Sequence, residues 1–158
     1  MFPIYPKKSL GQNFLNDKNI IKKIVGVGNI NKNTTILEIG PGTGNLTNEI
    51  LEQNPRKIYL IEKDKFLASE LKKKFKSQKK ILVINADILK IDERKIIDNN
   101  VTVYSNLPYN ISTQVLAKWT LLNKWMPWYN CLILMFQKEV ANRILAKKQT
   151  KEYGRLSI

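Results

Sequence analysis

The sequence has no histidine and a single cysteine among its 158 residues. Histidine is the commonest general base and the commonest metal ligand, so we expect chemistry that needs neither. The single cysteine, Cys131, excludes an internal disulfide and a cysteine cluster for zinc, and its apolar neighbours predict a buried side chain. No apolar run approaches the roughly 20 residues of a membrane span, and no apolar signal region is present, which predicts a cytoplasmic protein.

Acidic residues are also scarce. The sequence has 13 Asp and Glu against 27 Lys and Arg, a formal net charge of +14. Such an excess predicts a polyanionic partner, although a coding bias towards lysine would produce part of it. The lysines between positions 72 and 80 suit the solvated face and end of a helix. Better candidates for contact with a polyanion are Lys7, Lys8, Arg143, Lys147, Lys148 and Arg155.

Short apolar segments alternate with longer amphipathic ones along the chain. This alternation predicts one α/β domain, a parallel sheet with helices on both faces. The predicted strands are Thr35–Ile39, Lys57–Ile61, Ile81–Asn85, Thr102–Ser105 and Cys131–Phe136. The predicted helices are Asp17–Val27, Thr43–Gln53, Lys65–Lys76, Ser112–Lys124 and Gln137–Lys147.

A candidate site residue follows each of the first four predicted strands: Gly40, Glu62, Asp87 and Asn106. Ligands of open parallel sheets bind beyond the carboxyl ends of the strands. We therefore expect these four residues to meet at one edge of the sheet and to form a binding site.

The tetrapeptide Asn106-Leu107-Pro108-Tyr109 suits the alkylation of an exocyclic amine on a nucleobase. The lone pair of such an amine is delocalised into the ring, so its protons must be held by acceptors before it can attack. The Asn106 carboxamide oxygen and the carbonyls of Leu107 and Pro108 are the predicted acceptors, with Pro108 fixing the backbone. Tyr109 offers a face on which a flipped-out base can stack.

The segment from Glu38 to Gly44 predicts a glycine-rich turn between a strand and a helix. Its Gly-x-Gly-x-Gly spacing departs from the dinucleotide fingerprint, and no Gly-Lys-Ser/Thr of a phosphate loop follows. A nucleoside without a pyrophosphate is therefore favoured. Glu62, about 20 residues further on, is placed to accept both ribose hydroxyls, and Asp87 to accept from an adenine amine, with Ile88 against the ring. S-adenosylmethionine fits these features and needs no metal.

Five segments in this order resemble the ribosomal RNA adenine dimethyltransferases, which transfer two methyl groups to each of two adjacent adenosines of small-subunit rRNA. The resemblance runs from about residue 7 to the last residue. It implies a Rossmann-like class I S-adenosylmethionine-dependent methyltransferase that takes part in ribosome biogenesis. The segments are Lys8–Leu15, the glycine turn, Asn106–Ser112, Gln137–Ala141 and Tyr153–Ser157.

The resemblance also assigns roles to single residues. Asn13 and Leu15 would close over the cofactor, and Gly40, Glu62, Asp87 and Asn106 would bind it. Asn106 would also hold the target amine, and Tyr109 would stack on the target adenine. Two alternatives stay open: an enzyme of the macrolide-resistance type, which modifies large-subunit rRNA, and a non-catalytic RNA-binding assembly factor.

Family members continue beyond the Tyr153–Ser157 segment with a helix, an antiparallel strand pair and a small helical domain, whereas this sequence stops at Ile158. By the resemblance, residues 1–158 would form a methyltransferase domain that is incomplete at its C-terminal end, without the helical RNA-binding domain. We expect such a chain to keep its cofactor pocket, to lack activity on RNA, and to self-associate through the exposed strand Cys131–Phe136.

Overall fold

The computed structural model describes residue 6 and residues 12–98, 100–121 and 127–158, with the side chains at 109 and 110 outside the description. The part of the Lys8–Leu15 motif before residue 12, and with it Lys7 and Lys8, therefore lies outside the described residues. The described helices are α1 (Lys18–Val27), α2 (Asn45–Glu52), α3 (Lys65–Lys74), α4 (Tyr109–Thr120) and α5 (Lys138–Ile144). The strands are β1 (Thr35–Ile39), β2 (Lys57–Glu62), β3 (Ile81–Asn85), β4 (Val101–Ser105) and β5 (Tyr129–Leu134).

The five strands form one parallel sheet in the order β3-β2-β1-β4-β5. Strand β1 is central because crossovers carry the chain first to one side of it and then to the other. The order reverses between β1 and β4, which is where open α/β sheets bind their ligands. The prediction of a parallel α/β sheet is confirmed.

Helices cover both faces of the sheet. On one face, α1, α2 and α3 pack on alternate strand residues such as Ile36, Ile58 and Leu60. On the other, α4 and the connection between β3 and β4 pack on Leu37, Ile39 and their neighbours, with Val115 and Trp119 of α4 fully buried. The central strands are therefore buried on both faces, as the apolar runs of β1, β2 and β4 require.

Side chains fix where two of the helices begin. Asp17 accepts hydrogen bonds from the backbone N–H groups of Asn19 and Ile20 at 2.8 and 3.1 Å, and Asp64 caps α3 in the same way. Helix α4 begins at Tyr109, three residues before the predicted start at Ser112. Pro108 precedes it with φ −52°, and a proline there loses no helical hydrogen bond because it has no N–H.

The last strand corrects two predictions. Strand β5 spans Tyr129–Leu134 rather than Cys131–Phe136, and Cys131 is exposed rather than buried. Phe136, the predicted last residue of the strand, lies beyond it and is only half-buried. The physical reason is position: among the described strands β5 pairs with β4 alone, so its side chains lack a neighbour on one side.

Self-association through β5 stays a prediction. The strand is at the edge of the described sheet and its residues Leu132, Ile133 and Leu134 are half-buried. An edge of this kind exposes unpaired backbone groups beside apolar side chains. Sedimentation over a concentration series is expected to show a rising mean mass, and a monomer at every concentration would contradict the expectation. Separately, none of the described helices is long and apolar enough to cross a membrane.

Candidate nucleoside-binding and amine-binding site

The strand register brings three of the predicted site residues side by side. Ile39 of β1 pairs with Ile61 of β2 and with Ser105 of β4, so the next residues along each strand, Gly40, Glu62 and Asn106, follow in adjacent positions. Asp87 follows β3 by two residues. All four line one cleft at the carboxyl edge of the sheet, together with Asn13, Ile88, Leu107 and Pro108. The prediction that they meet at one edge is confirmed.

The glycine turn lies across the end of β1. Gly40 and Gly42 have φ values of +66° and +57°, which side-chain-bearing residues adopt with strain. A Cβ on Gly42 would also stand 3.0 Å from the ring of Phe14, so glycine lets the N-terminal segment close against the turn. Phe14 lines the cleft beside Asn13. The sequence predicts its neighbours Asn13 and Leu15 as site residues but misses Phe14, because an aromatic side chain in that segment is as typical of core packing as of a ligand contact.

Glu62 is fixed by the backbone on both oxygens. Its Oε2 accepts from the Gly42 N–H at 3.2 Å and its Oε1 accepts from the Asp64 N–H at 2.8 Å. Burial raises the pKa of Glu62, although these backbone hydrogen bonds oppose the rise. A carboxylate has about four acceptor positions. Glu62 lines the cleft, so this held carboxylate can also accept from the hydroxyls of a ribose.

Asp87 lies at the other end of the cleft. Its Oδ1 accepts from the Leu89 N–H at 3.1 Å, and its Oδ2 lies 3.0 Å from the ammonium of Lys63. Desolvation raises the pKa of Asp87, but these two contacts outweigh it and leave the pKa below its ordinary value. The group is therefore an ionised acceptor. The neighbouring Ile88 is buried in the core and presents an apolar surface to the same cleft.

Asn106 connects the sheet edge to the N-terminal segment. Its Nδ2 donates to the backbone oxygen of Asn13 at 3.1 Å. That bond orients the carboxamide. Its Oδ1 accepts no hydrogen bond from the described residues and can accept one from an incoming amine. Leu15 lines a smaller neighbouring cleft with Asn13, and its backbone oxygen accepts from Asn45 at 3.0 Å. The segment over the glycine turn is thus held at both residues.

The predicted set of amine acceptors needs one change. The Pro108 carbonyl accepts from the N–H groups of Ile111 and Ser112 at 3.1 and 3.2 Å, because it begins α4. Both of its lone pairs are used inside the protein, so Pro108 contributes a fixed backbone rather than an acceptor. The acceptors that remain are the Asn106 carboxamide oxygen and the Leu107 carbonyl. The Tyr109 side chain lies outside the described residues, and its stacking role stays a prediction.

Metal ligands are not gathered in the described part of the chain. No group of three or more His, Cys, Asp or Glu side chains there could hold a metal ion. The polar side chains of the cleft include the carboxylates of Glu62 and Asp87 and the carboxamide of Asn106, beside an apolar floor of Ile39, Ile61 and Ile88. This donor set fits an adenine nucleoside and its ribose.

The fold defines a Rossmann-like domain of the class I methyltransferase type, with one cleft at the carboxyl edge of its parallel sheet. Comparison with known proteins makes the assignment specific. The chain belongs to the ribosomal RNA adenine dimethylase family, whose model matches residues 5–158.

Two curated relatives show how much of the family the chain spans. It is 53% identical over 152 residues to the ribosomal RNA small subunit methyltransferase A of Pelagibacter ubique, covering 96% of this chain and 57% of that protein. The protein of the same name from Wolbachia sp. subsp. Drosophila simulans is 46% identical over 158 residues, which cover 99% of this chain and 57% of that protein. The chain therefore spans between half and three fifths of the length of these relatives.

Two solved structures share the fold. A dimethyladenosine transferase from Plasmodium falciparum superposes with a TM-score of 0.79 at 32% identity, over 92% of this chain and 51% of that one. The 23S rRNA methyltransferase ErmE superposes with a TM-score of 0.71 at 30% identity, over 90% of this chain and 53% of that one. A dimethyladenosine transferase and a 23S rRNA methyltransferase are thus both structural neighbours of this chain.

Proposed function

We propose that this chain is the cofactor-binding part of an enzyme that uses S-adenosylmethionine to dimethylate N6 of two adjacent adenosines in small-subunit ribosomal RNA. One observation carries the proposal: the Asn106 carboxamide and the Leu107 carbonyl stand at the same sheet edge as Glu62 and Asp87. A site for an adenosyl group and a site for an amine therefore share one cleft. A role in ribosome biogenesis and a cytoplasmic location follow from that substrate.

The cofactor would supply a methyl group on a sulfonium, ready for direct transfer to nitrogen. Glu62 would hold the two ribose hydroxyls, and Asp87 would accept from the adenine amine with Ile88 against the ring. The Asn106 Oδ1 and the Leu107 carbonyl would accept from the target amine and stabilise the positive charge that develops on it. In such a scheme positioning of the two ligands would supply most of the rate, because the Glu62 and Asp87 carboxylates are engaged with the cofactor. The methyl–sulfur bond would break as the methyl–nitrogen bond forms, S-adenosylhomocysteine would leave, and the amine proton would pass to water.

Small-subunit RNA is favoured over large-subunit RNA by the relatives. The curated proteins that match at 53% and 46% identity are named for the small subunit, and the dimethyladenosine transferase superposes more closely than ErmE. A non-catalytic assembly factor would not need amine acceptors beside a site for an adenosyl group. We therefore favour the enzyme.

Mass spectrometry of the RNA tests the proposal directly. Small-subunit and large-subunit particles that lack the modification are incubated separately with S-adenosylmethionine and with the full-length protein that contains this chain. Dimethyladenosine at two adjacent positions is the expected product. Modification of large-subunit RNA instead would favour the macrolide-resistance type, and binding without any methylation would favour the assembly factor.

Glu62→Ala is expected to weaken S-adenosylmethionine binding by about 1–3 kcal/mol, the scale of hydrogen bonds to a charged group. The change removes the proposed ribose contact and also releases the Gly42 N–H that holds the glycine turn. Titration calorimetry measures the loss. The exposed Glu52, at the end of α2, provides the control variant Glu52→Ala. An unchanged affinity in Glu62→Ala would remove this residue from the site.

RNA affinity is expected to fall steeply as salt rises, because lysines and arginines release counterions when they bind phosphates. Arg143, Lys147 and Lys148 are exposed and are the predicted contacts. Reversing these three charges should lower the slope of log affinity against log salt by about 2–3.

The lysines between positions 72 and 80, in and after helix α3, provide the control for that measurement. The structure decides which of these lysines are suitable. Lys73 is paired with Glu70 at 2.7 Å, and Lys74 donates to the Thr43 carbonyl of the glycine turn at 2.8 Å, so both have internal roles. The matched reversal therefore uses exposed lysines that line a groove between α3 and β3: Lys72, Lys76 and Lys79. A larger loss of slope in this control would move the RNA surface to α3.

A further inference from the structure

Lys118, in the last turn of α4, is bonded three times to the connection between β3 and β4. Its Nζ donates to the backbone oxygens of Ile88 and Ile91, each at 2.6 Å, and to Oε1 of Glu93 at 2.7 Å. These three acceptors use all three donors of an ammonium group. The Lys118 side chain is 27% exposed and that of Glu93 only 4%, so the pair is largely withdrawn from water.

Glu93 is also bonded by the next residue of α4. The indole Nε1 of Trp119 donates to the same Oε1 at 2.8 Å, and Trp119 is itself fully buried, edge-on to Trp128 at 5.7 Å. A buried carboxylate without partners is strongly destabilising, whereas this one is held by a cation and an indole. The hydrogen bonds from Lys118 and Trp119 to Glu93 therefore fix the position of the connection between β3 and β4.

The connection held in this way carries the proposed adenine contacts. Asp87 and Ile88 lie at its start, and Lys118 bonds the backbone oxygen of Ile88 itself. The turn has its own bonds, from the N–H groups of Leu89 and Lys90 to Asp87, but these are internal to it. Outside the turn, the Lys63 ammonium contacts Asp87 from the connection after β2, and the bonds from α4 fix the turn on the side of Ile88. The same helix begins at Tyr109, directly after the amine acceptors.

We propose that Lys118 and Glu93 are positioning residues for adenine recognition: they fasten the Asp87–Ile88 turn to α4, so that the Asp87 carboxylate stays where the exocyclic amine of the cofactor's adenine must reach it. This inference rests on the proposed cofactor and on Asp87 as its amine acceptor. It also joins the adenine side of the cleft and the amine-acceptor side to one rigid helix.

The test compares two probes, S-adenosylhomocysteine and S-inosylhomocysteine, by titration calorimetry. Inosine carries an oxygen where adenosine carries the amine, so the ratio of their dissociation constants measures recognition of that amine. We expect a ratio of about tenfold or more for the wild-type chain, the scale of a hydrogen bond to a charged group. In Lys118→Met the ratio should fall by about threefold or more, because the turn loses its fixed position. Partial unfolding weakens both probes equally and cancels in the ratio.

Lys73→Met is the matched control. It makes the same substitution in an ion pair of the same length, 2.7 Å to Glu70, on a lysine side chain that is 72% exposed. Its ratio should stay that of the wild type. Glu93→Gln is a second variant, for the case that Lys118→Met does not fold. It keeps the size of the side chain and one oxygen that can accept the same hydrogen bonds. It should lower the ratio of dissociation constants less than Lys118→Met does.

Each outcome decides between the proposals. A wild-type ratio in the folded variants would overturn the positioning role and leave the cofactor assignment intact. A wild-type chain that binds both probes equally would remove Asp87 as the amine acceptor and the positioning role with it. A wild-type chain that binds neither probe would overturn the proposed function itself.

Discussion

Asn106→Ala is expected to lower methyl transfer to RNA by about 100- to 1,000-fold, the cost of removing one preorganised group from a developing charge. RNA affinity should change by no more than about threefold, because exposed cations rather than this carboxamide hold the phosphates. The geometry supports the distinction: Asn106 lies in the cleft beside the proposed adenosyl site, and its amide nitrogen is already bonded to Asn13.

Single-turnover kinetics at saturating cofactor, in the full-length protein that contains this chain, separates the two effects. Saturation matters because the variant also loses the bond to Asn13. Asn130→Ala is the matched control, since the Asn130 amide makes a similar bond, 3.2 Å to the Asn100 carbonyl, on the edge strand β5. Equal losses in turnover and RNA binding in Asn106→Ala would make Asn106 a docking or structural residue.

A second large effect is expected on stability, from Glu38 beneath the glycine turn. Glu38 is 1% exposed, and its Oε2 accepts from the Thr47 hydroxyl at 2.7 Å. Burial raises its pKa from 4.5 to about 7, against the lowering effect of that hydrogen bond and of the Lys74 ammonium. The folded state thus keeps a proton that the unfolded state releases.

The direction in which stability changes with pH follows from that difference in bound protons. The stabilising contribution of the protonated Glu38 is fully present below pH 4.5 and is lost as pH rises through about 7. The loss should amount to about 3 kcal/mol of unfolding free energy. Burial raises the pKa of Glu62 too, so that residue contributes in the same direction. The chain has no histidine, so no imidazole titrates in this window.

Urea unfolding measured from pH 5 to pH 8 tests the effect in Glu38→Gln. The amide has no proton to lose in this range and can still accept from Thr47, so its unfolding free energy should vary much less with pH. It should also exceed that of the wild type at pH 8. Glu52→Gln, at an exposed position, is expected to keep the wild-type slope. A wild-type slope in Glu38→Gln would show that the buried carboxyl does not control the pH dependence.

The sheet was predictable because its central strands are buried on both faces. β1 and β3 have the predicted bounds, and β2 and β4 each differ by one residue. The binding edge was predictable for the same reason, since parallel strands place their carboxyl ends together. The glycine-rich segment after β1 also predicted a tight turn at this edge, and the positive φ values of its glycines confirm that turn.

The misses come from tertiary contacts that leave no local signal. Cys131 sits in an apolar sequence, yet its strand is at the edge of the described sheet and the side chain is exposed. Lys118 was predicted only as a helix residue, although it bonds a connection some 25 to 30 residues earlier in the chain. The Pro108 carbonyl was assigned to a ligand because the sequence did not show that α4 begins directly after it.

The central place of β1 has a consequence for the order in which the site forms. The first strand made is flanked by the second on one side and by the fourth on the other, so the Ile39 carbonyl meets the Ser105 hydroxyl across 66 residues of chain. A growing polypeptide that has passed β3 and Asp87 already contains the glycine turn and Glu62, but neither Asn106 nor α4. Closing so long a loop is slow, and its entropic cost precedes the contacts that offset it. The half of the cleft proposed to recognise the adenosyl group is thus specified early in synthesis, and the half proposed to hold the amine arrives last.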